Sequence, residues 1–298
     1  MTFYGGIEGG GTKFVCAVAD DQGTILVRER FPTEDPASTI QRAIDFFTRY
    51  QTEQNITLAG IGIASFGPVD LNPASEHYGY ITTTPKPGWQ FADFAGRVQR
   101  AFPDIPVGFD TDVNGAALGE QRWGAAQAWD AFIYITVGTG IGGGAMVNGK
   151  PIHGLIHPEM GHILLPMRAD DPLDRGVCPF HPNCLEGLAA GPAIAARWNA
   201  PGETLPADHP AWDLEAYYLA HAIEAMMCVL SPQGIILGGS VMHQQQLFPM
   251  VRQKVVDLLN DYLKHDRLKT FEDVIVPPGL GDNAGVMGAI VLAMNAAE

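Results

Sequence analysis

Two rhythms of apolar positions alternate along the chain. Short apolar runs stopped by glycine- or aspartate-rich turns predict strands, and apolar residues at i, i+3, i+4 and i+7 predict helices. Residues 3–8 form one such run, which breaks at Gly9-Gly10-Gly11 and resumes over Lys13–Ala19. The polar turn Asp20-Asp21-Gln22-Gly23 then leads into a third strand, Thr24–Phe31. Asp35-Pro36 places an N-cap residue before a proline at the first helical position, opening a helix to about Glu53. Ile40, Ala43, Ile44 and Phe47 give that helix one buried stripe. Leu58–Ala64 predicts another strand, followed by a Pro/Gly/Thr-rich loop from Phe66 to Gln90. A helix around Phe91–Phe102, a strand Val107–Phe109 and a helix Ala116–Trp123 complete this half.

The second half opens in the same way. Ala131–Val137 predicts a strand, Gly138–Gly144 a glycine-rich turn, and Ala145–Val147 a returning strand. Helical periodicity follows at Leu185–Trp198, Leu214–Val229, Gln246–Lys264 and Ala284–Ala297, with strands at Ile235–Leu237 and Val274–Val276. The repeated order of strand, glycine turn, strand and alternating helices predicts mixed α/β layers and a duplicated architecture. Two such lobes imply a cleft, where small-molecule sites are often found.

Composition narrows the function. The 298 residues carry 18 Lys plus Arg against 33 Asp plus Glu, a formal charge of −15. That balance argues against nucleic acid and anionic membranes, which need a basic face. No apolar stretch approaches the ~20 residues of a membrane span, and the first residues show neither a basic start nor an apolar core of a signal peptide. The expectation is a cytoplasmic globular protein. Four cysteines, at 16, 178, 184 and 228, are too few for a disulfide framework. Cys16 and Cys228 lie in apolar patterns and are expected to be buried and inert.

Five sequence clusters carry candidate chemistry. Glycines at 9, 10 and 11, followed by Thr12 and Lys13, let the backbone turn tightly and present successive amides to an anion. The spacing is not that of a P-loop, and an ordinary hairpin turn is the plain alternative. Five glycines within 138–144 repeat the pattern around Thr139 and Gly140, which favours an anion cradle, and Gly238-Gly239-Ser240 would suit close approach of a nucleotide. Asp110-Thr111-Asp112-Val113-Asn114 follows a strand end; its carboxylates suit a general base or a metal, while Asp112 could equally cap the next helix. His162, Cys178, His181 and Cys184 offer two imidazoles and two thiolates, a tetrahedral set with no open position, hence a structural Zn²⁺ site. Glu159 and Glu186 flank that loop and could accept hydrogen bonds from sugar hydroxyls.

Together these stretches resemble the ROK family (repressors, open reading frames and sugar kinases), most closely its bacterial fructokinase branch. The resemblance rests on Gly6–Lys13, Gly62–Pro68, Tyr80–Trp89, Asp110–Glu120, Val137–Gly144, His157–His162 and Cys184–Gly187, with Gly238–Ser240 and Gly281–Ala284 extending it. It implies a two-lobed, actin-like (RNase H-type) ATPase fold. The first lobe would span 1–114, joined by the C-terminal helix 284–298, and the second 115–283. By the same resemblance Gly10, Gly11, Thr12, Lys13, Thr139 and Gly140 hold the ATP phosphates, and Gly238, Gly239 and Ser240 lie against the adenosine. Asp112 matches the catalytic base. Glu159, His162 and Glu186 match sugar-side positions, and His162, Cys178, His181 and Cys184 hold zinc. ATP would come with Mg²⁺, Glu8 being a candidate for the metal's water shell, and a homodimer is the pattern the resemblance suggests. Glucokinase-like members carry Asp in place of Glu8, Asn in place of Thr111 and a third cysteine in place of His181. These departures point to D-fructose, phosphorylated at O6, with mannose or glucose as alternatives. A family repressor would carry an N-terminal DNA-binding segment, whereas seven residues precede Glu8 here. A non-catalytic sugar-sensing or nucleotide-binding protein is the rival outside the kinases.

Overall fold

The computed structural model describes residues 1–298. The chain forms two compact units, one of Met1–Ala128, Pro151–Pro158 and Gly279–Glu298, the other of Trp129–Lys150 and Glu159–Pro278. Residues 115–128, expected with the second lobe, cluster with the first unit, as does the short return 151–158. No helix is long and apolar enough to cross a membrane.

In the first unit, strands β1 (Phe3–Gly9), β2 (Lys13–Asp20) and β3 (Ile25–Pro32) form an antiparallel meander. After helix α1 (Pro36–Gln54), strand β4 (Gly60–Ser65) pairs parallel to β1. The excursion that follows holds the short strands β5 (Tyr80–Ile81) and β6 (Ala92–Asp93) and helix α2 (Ala95–Ala101), and β7 (Val107–Thr111) returns parallel to β4. The sheet order is β3-β2-β1-β4-β7. Strand alternation decides what each face touches. Phe14, Cys16 and Val18 of β2 face the core shared with Phe46 and Phe47 of α1 and with Trp89 and Phe94. Val15, Ala17 and Ala19 face the other way, against Val286, Ile290 and Met294 of the last helix.

Helix α1 starts as its sequence requires, with the Asp35 carboxylate accepting from the amides of Ala37 and Ser38, and Asn55 ends it in the left-handed conformation. Helix α3 (Asp112–Trp123) packs on α8 (Ala284–Ala297), which also covers β1, β4 and β7. Gly288 permits the crossing, since a Cβ there would overlap the carbonyl of Gly115. The cap of α3 is Thr111, whose hydroxyl accepts from Asn114 N–H at 3.1 Å, so Asp112 is the first helical residue and not the cap. That correction leaves the Asp112 side chain outside the capping role.

The second unit repeats the plan. Strands β8 (Phe132–Val137) and β9 (Ile141–Val147) are antiparallel, and β10 (Lys150–Pro151) extends them. Helices α4 (Leu185–Ala189), α5 (Gly191–Trp198) and α6 (Ala211–Leu230) precede β11 (Gly234–Gly238), which runs parallel to β8. Helix α7 (Leu247–Leu259) leads to β12 (Ile275–Val276), parallel to β11. The order β10-β9-β8-β11-β12 matches the first sheet strand for strand, which establishes the duplication.

Three expectations change. Gly142, Gly143 and Gly144 are paired in β9 with Thr136, Ile135 and Tyr134, so the turn shrinks to 138–140. The helix expected over 185–198 breaks at Ala190, in extended conformation just before Gly191-Pro192. Helix α7 stops at Leu259 because Asn260 turns left-handed. Cys16 is buried as expected, but Cys228 is exposed on α6, its thiol donating to Glu224 at 3.3 Å.

Glu215 of α6 is buried and neither carboxylate oxygen has a hydrogen-bond partner. Burial holds its carboxyl well above the ordinary value of 4.5, with Arg197 opposing only in part, and Arg197 itself is paired to Asp171 at 2.8 Å. The folded chain therefore keeps a proton that the unfolded chain releases. Stability from this site is intact below about pH 4.5 and is lost as pH rises toward the elevated folded value. Glu215→Gln is expected to stabilise the protein more at pH 7 than at pH 4.5. Urea midpoints at the two pH values check this; an unchanged midpoint at pH 7 contradicts it.

Candidate active site

The predicted site residues fall into two groups, one on each unit. In the first, β1, β4 and β7 are adjacent and parallel, so their carboxyl ends open on the same sheet edge, the edge at which α/β sheets bind ligands. The glycine turn leaves β1 there. Gly10 N–H donates to Lys13 carbonyl at 2.9 Å, which closes the hairpin, while the amides of Gly11 and Thr12 carry no hydrogen bond within the chain. The Thr33 hydroxyl fixes the Gly10 carbonyl at 2.6 Å. An open pocket lined by Thr12, Lys13, Arg30, Phe31 and Pro32 borders the turn. Glu8, the next-to-last residue of β1, has a buried carboxylate oxygen, Oε2, with no protein partner. Burial raises its pKa, with the charges of Lys13 and Arg28 opposing the rise.

Asp112 begins α3 at the end of β7, half-buried, with Oδ1 accepting from Val113 N–H at 2.9 Å. A carboxylate at this position lies on the positive end of the helix dipole. Two residues earlier, Asp110 is buried and fully engaged. Its Oδ1 accepts from Thr111 N–H at 2.7 Å and from Asn114 Nδ2 at 2.8 Å, and its Oδ2 meets His153 Nε2 at 2.9 Å. The hydrogen bond and charge of Asp110 raise the His153 pKa despite partial desolvation. His157, buried on the same segment, accepts from Val69 N–H at 3.1 Å through Nε2, and burial lowers its pKa.

In the second unit the turns after β8 and β11 are likewise neighbours at the carboxyl edge of adjacent parallel strands. Thr139 is exposed at the tip of the first, beneath which Gly138 N–H donates to Gly140 carbonyl at 2.9 Å. Gly191 N–H holds the Gly138 carbonyl at 2.8 Å, tying α5 to the turn. Gly239 has φ 89°, a left-handed conformation that suits glycine, and a Cβ there would overlap the Val137 carbonyl. This tight passage sets Ser240, itself exposed, beside Gly138.

Glu186 lies closer to this turn than its sequence position suggested. Its Oε2 accepts from Ile141 N–H at 3.0 Å, and Gly140 leaves room for it. Partial desolvation and the charge of Glu186 push Glu159 up to about 7. His162, Cys178, His181 and Cys184 converge, with their ligand atoms all within 4.8 Å of one another. Cys178 Sγ lies 3.9 Å from His162 Nδ1 and 3.8 Å from His181 Nδ1, separations that suit ligands sharing one tetrahedral ion.

The ROK family's sequence pattern matches residues 4–296. The chain belongs to the ROK family. It is 49% identical over 295 residues to a putative fructokinase of Bacillus subtilis, covering 99% of this chain and 96% of that one. It is 46% identical over 296 residues to the fructokinase of Zymomonas mobilis, covering 98% and 97%. Among solved structures, the ROK hexokinase of Thermus thermophilus superposes with a TM-score of 0.78 at 24% identity, covering 99% of this chain and 98% of that one. The last likeness is one of fold: the paired, matching sheets are those of the actin-like ATPases.

Within this ROK chain, sequence reasoning passed over Asp110 as a separate actor, and over His153 and His157 altogether. The available signal was two histidines four residues apart in the short stretch between Pro151 and Pro158. Glu120 was also missed as an anchor. Its buried carboxylate accepts from the amides of Ala125, Gly279 and Leu280 at 2.7–2.9 Å, fixing two loops of the first unit to α3.

Proposed function

We propose that this protein is a fructokinase that transfers the γ-phosphate of ATP to the 6-hydroxyl of D-fructose. The observation that carries the reading is the near-complete, high identity to the two fructokinase-named relatives, one of them putative. The chemistry of the site supports it. Asp112 accepts the proton of the sugar hydroxyl as its oxygen attacks the γ-phosphorus in line. Gly10, Gly11, Thr12, Lys13, Thr139 and Gly140 are the candidates to hold the phosphates, and Gly238, Gly239 and Ser240 to lie against the adenosine. Glu159, His162 and Glu186 are the sugar-side candidates; Glu186 is already committed through one oxygen to Ile141 N–H, so its other oxygen is the one to offer.

Mg²⁺ bound with ATP would supply charge neutralisation for the phosphates. The unpartnered Glu8 Oε2 beside the glycine turn fits a role in holding that ion's waters. The donor set His162, Cys178, His181 and Cys184 fits Zn²⁺ in a closed structural site, because two thiolates and two imidazoles fill a tetrahedron. ATP turnover across fructose, mannose, glucose and N-acetylmannosamine with Mg²⁺ tests the reading. The expected outcome is the highest kcat/KM for fructose, with fructose 6-phosphate as product; no turnover with any hexose contradicts the kinase, and a better mannose or glucose substrate contradicts the sugar.

A further inference from the structure

The chain makes one short return to the first unit, residues 151–158, between two stretches of the second. Two histidines fasten it. His157 takes the Val69 amide in the loop after β4, and His153 takes Asp110 at the end of β7. Both anchor points leave neighbouring parallel strands at the edge where Asp112 lies.

Two carboxylates, Asp110 and Asp112, stand two residues apart at this turn, and the chemistry needs one base. Asp110 is tied into the turn: two donors meet Oδ1, and His153 Nε2 meets Oδ2. Asn114, in the first turn of α3, joins the pair, its Nδ2 lying 2.8 Å from Asp110 and 3.4 Å from His153. The His153 side chain is 44% exposed, whereas that of Asp110 is 4% exposed, so the imidazole is the face of this network toward solvent. The remaining titratable groups under the influence of Asp110 are Tyr78, whose phenol is raised by burial and then by that charge, and His157.

We propose that His153 is a positioning residue for phosphoryl transfer: its imidazole holds Asp110, which in turn holds Thr111 N–H and Asn114 Nδ2, so that the first turn of α3 is fixed in place to present Asp112 as the base. This rests on Asp112 being the base. With its proton on Nε2, the tautomer that the Asp110 carboxylate favours, the imidazole donates to Asp110 whether neutral or protonated, so the hydrogen bond persists through its titration. When protonated it also cancels the Asp110 charge, which otherwise makes ionisation of a nearby carboxylate harder.

The test compares His153→Ala and His153→Gln in the full chain, measuring kcat/KM for fructose against pH, KM for ATP and the melting temperature. His153→Ala is expected to lower kcat/KM for fructose about tenfold or more, with KM for ATP unchanged. His153→Gln, whose amide can still donate to Asp110, is expected to recover most of that loss at pH 8. In both variants the acid limb of the profile shifts to higher pH, since the positive charge is gone. A change in melting temperature with a wild-type pH profile in both variants would reduce His153 to scaffolding and overturn the proposal. Asp112→Asn separates the two levels. Turnover retained by that variant overturns the base assignment, whereas a dead Asp112→Asn beside wild-type His153 variants overturns this inference alone.

Discussion

Asp112→Asn is expected to lower kcat for fructose by about 10²–10⁴-fold while leaving ATP binding intact. Phosphoryl transfer passes through a loose transition state, so the protein's contribution is mostly positioning and charge, with one proton to remove. Asparagine keeps the shape and the hydrogen bond to Val113 N–H but cannot take that proton. Thr111, not Asp112, caps α3, so the substitution leaves the helix start in place. Asp110 is already engaged by Thr111, Asn114 and His153, so the variant keeps that network. A coupled ADP-release assay reads the loss, and calorimetric binding of ATP reads the retained affinity. Near-normal fructose-dependent ADP release by the variant would exclude Asp112 as the base.

The second large effect is expected from removing zinc. Protein purified without added metal should contain about one zinc per chain, the stoichiometry of a single four-ligand site. Structural zinc sites bind with apparent free energies of about 10–16 kcal/mol in small peptides. The second unit has its own apolar core, so it should survive chelation, but the loop between His162 and Cys184 should not. Asp171, paired with the buried Arg197 at 2.8 Å, and Arg168, paired with Asp213, anchor the first part of that loop, whereas its second part relies, apart from the ligands, on bonds such as Leu165 N–H to Asn183 carbonyl at 2.9 Å and Asn183 Nδ2 to Leu165 carbonyl at 2.7 Å. Cys184 also caps α4, and Glu186 in its first turn holds Ile141 N–H next to the 138–140 glycine turn. Chelation, or Cys178→Ser, is therefore expected to lower the thermal midpoint, open residues 174–183 to proteolysis and raise KM for ATP. Folded, active protein that contains no zinc would refute the site.

Much of the fold was legible because its signals are local. Strand alternation along β2 separates Phe14, Cys16 and Val18 from Val15, Ala17 and Ala19, and Asp35-Pro36 marks the start of α1. Where local signals competed, the structure decided. The glycines at 142–144 read as turn because glycine favours turns, yet pairing with β8 makes them strand. Cys228 read as buried because α6 is apolar nearly all round, and its place on the helix circumference puts it in solvent.

The opposing demands of an acidic chain and an anionic ligand are also resolved locally. Lys13 is the one cation in the first glycine turn and the second has none, so a nucleotide there would rely on amides, hydroxyls and its metal. The sequence by itself determined the strand and helix periods, the three glycine turns, the Asp112 cluster and the His/Cys set, because each is written in residues close along the chain. Tertiary structure alone decided that Glu186 holds Ile141 N–H beside the 138–140 turn and that His153 and His157 strap 151–158 to Asp110 and Val69. Those outcomes depend on hydrogen bonds between residues separated by 43 to 88 positions, whose partners no local pattern specifies.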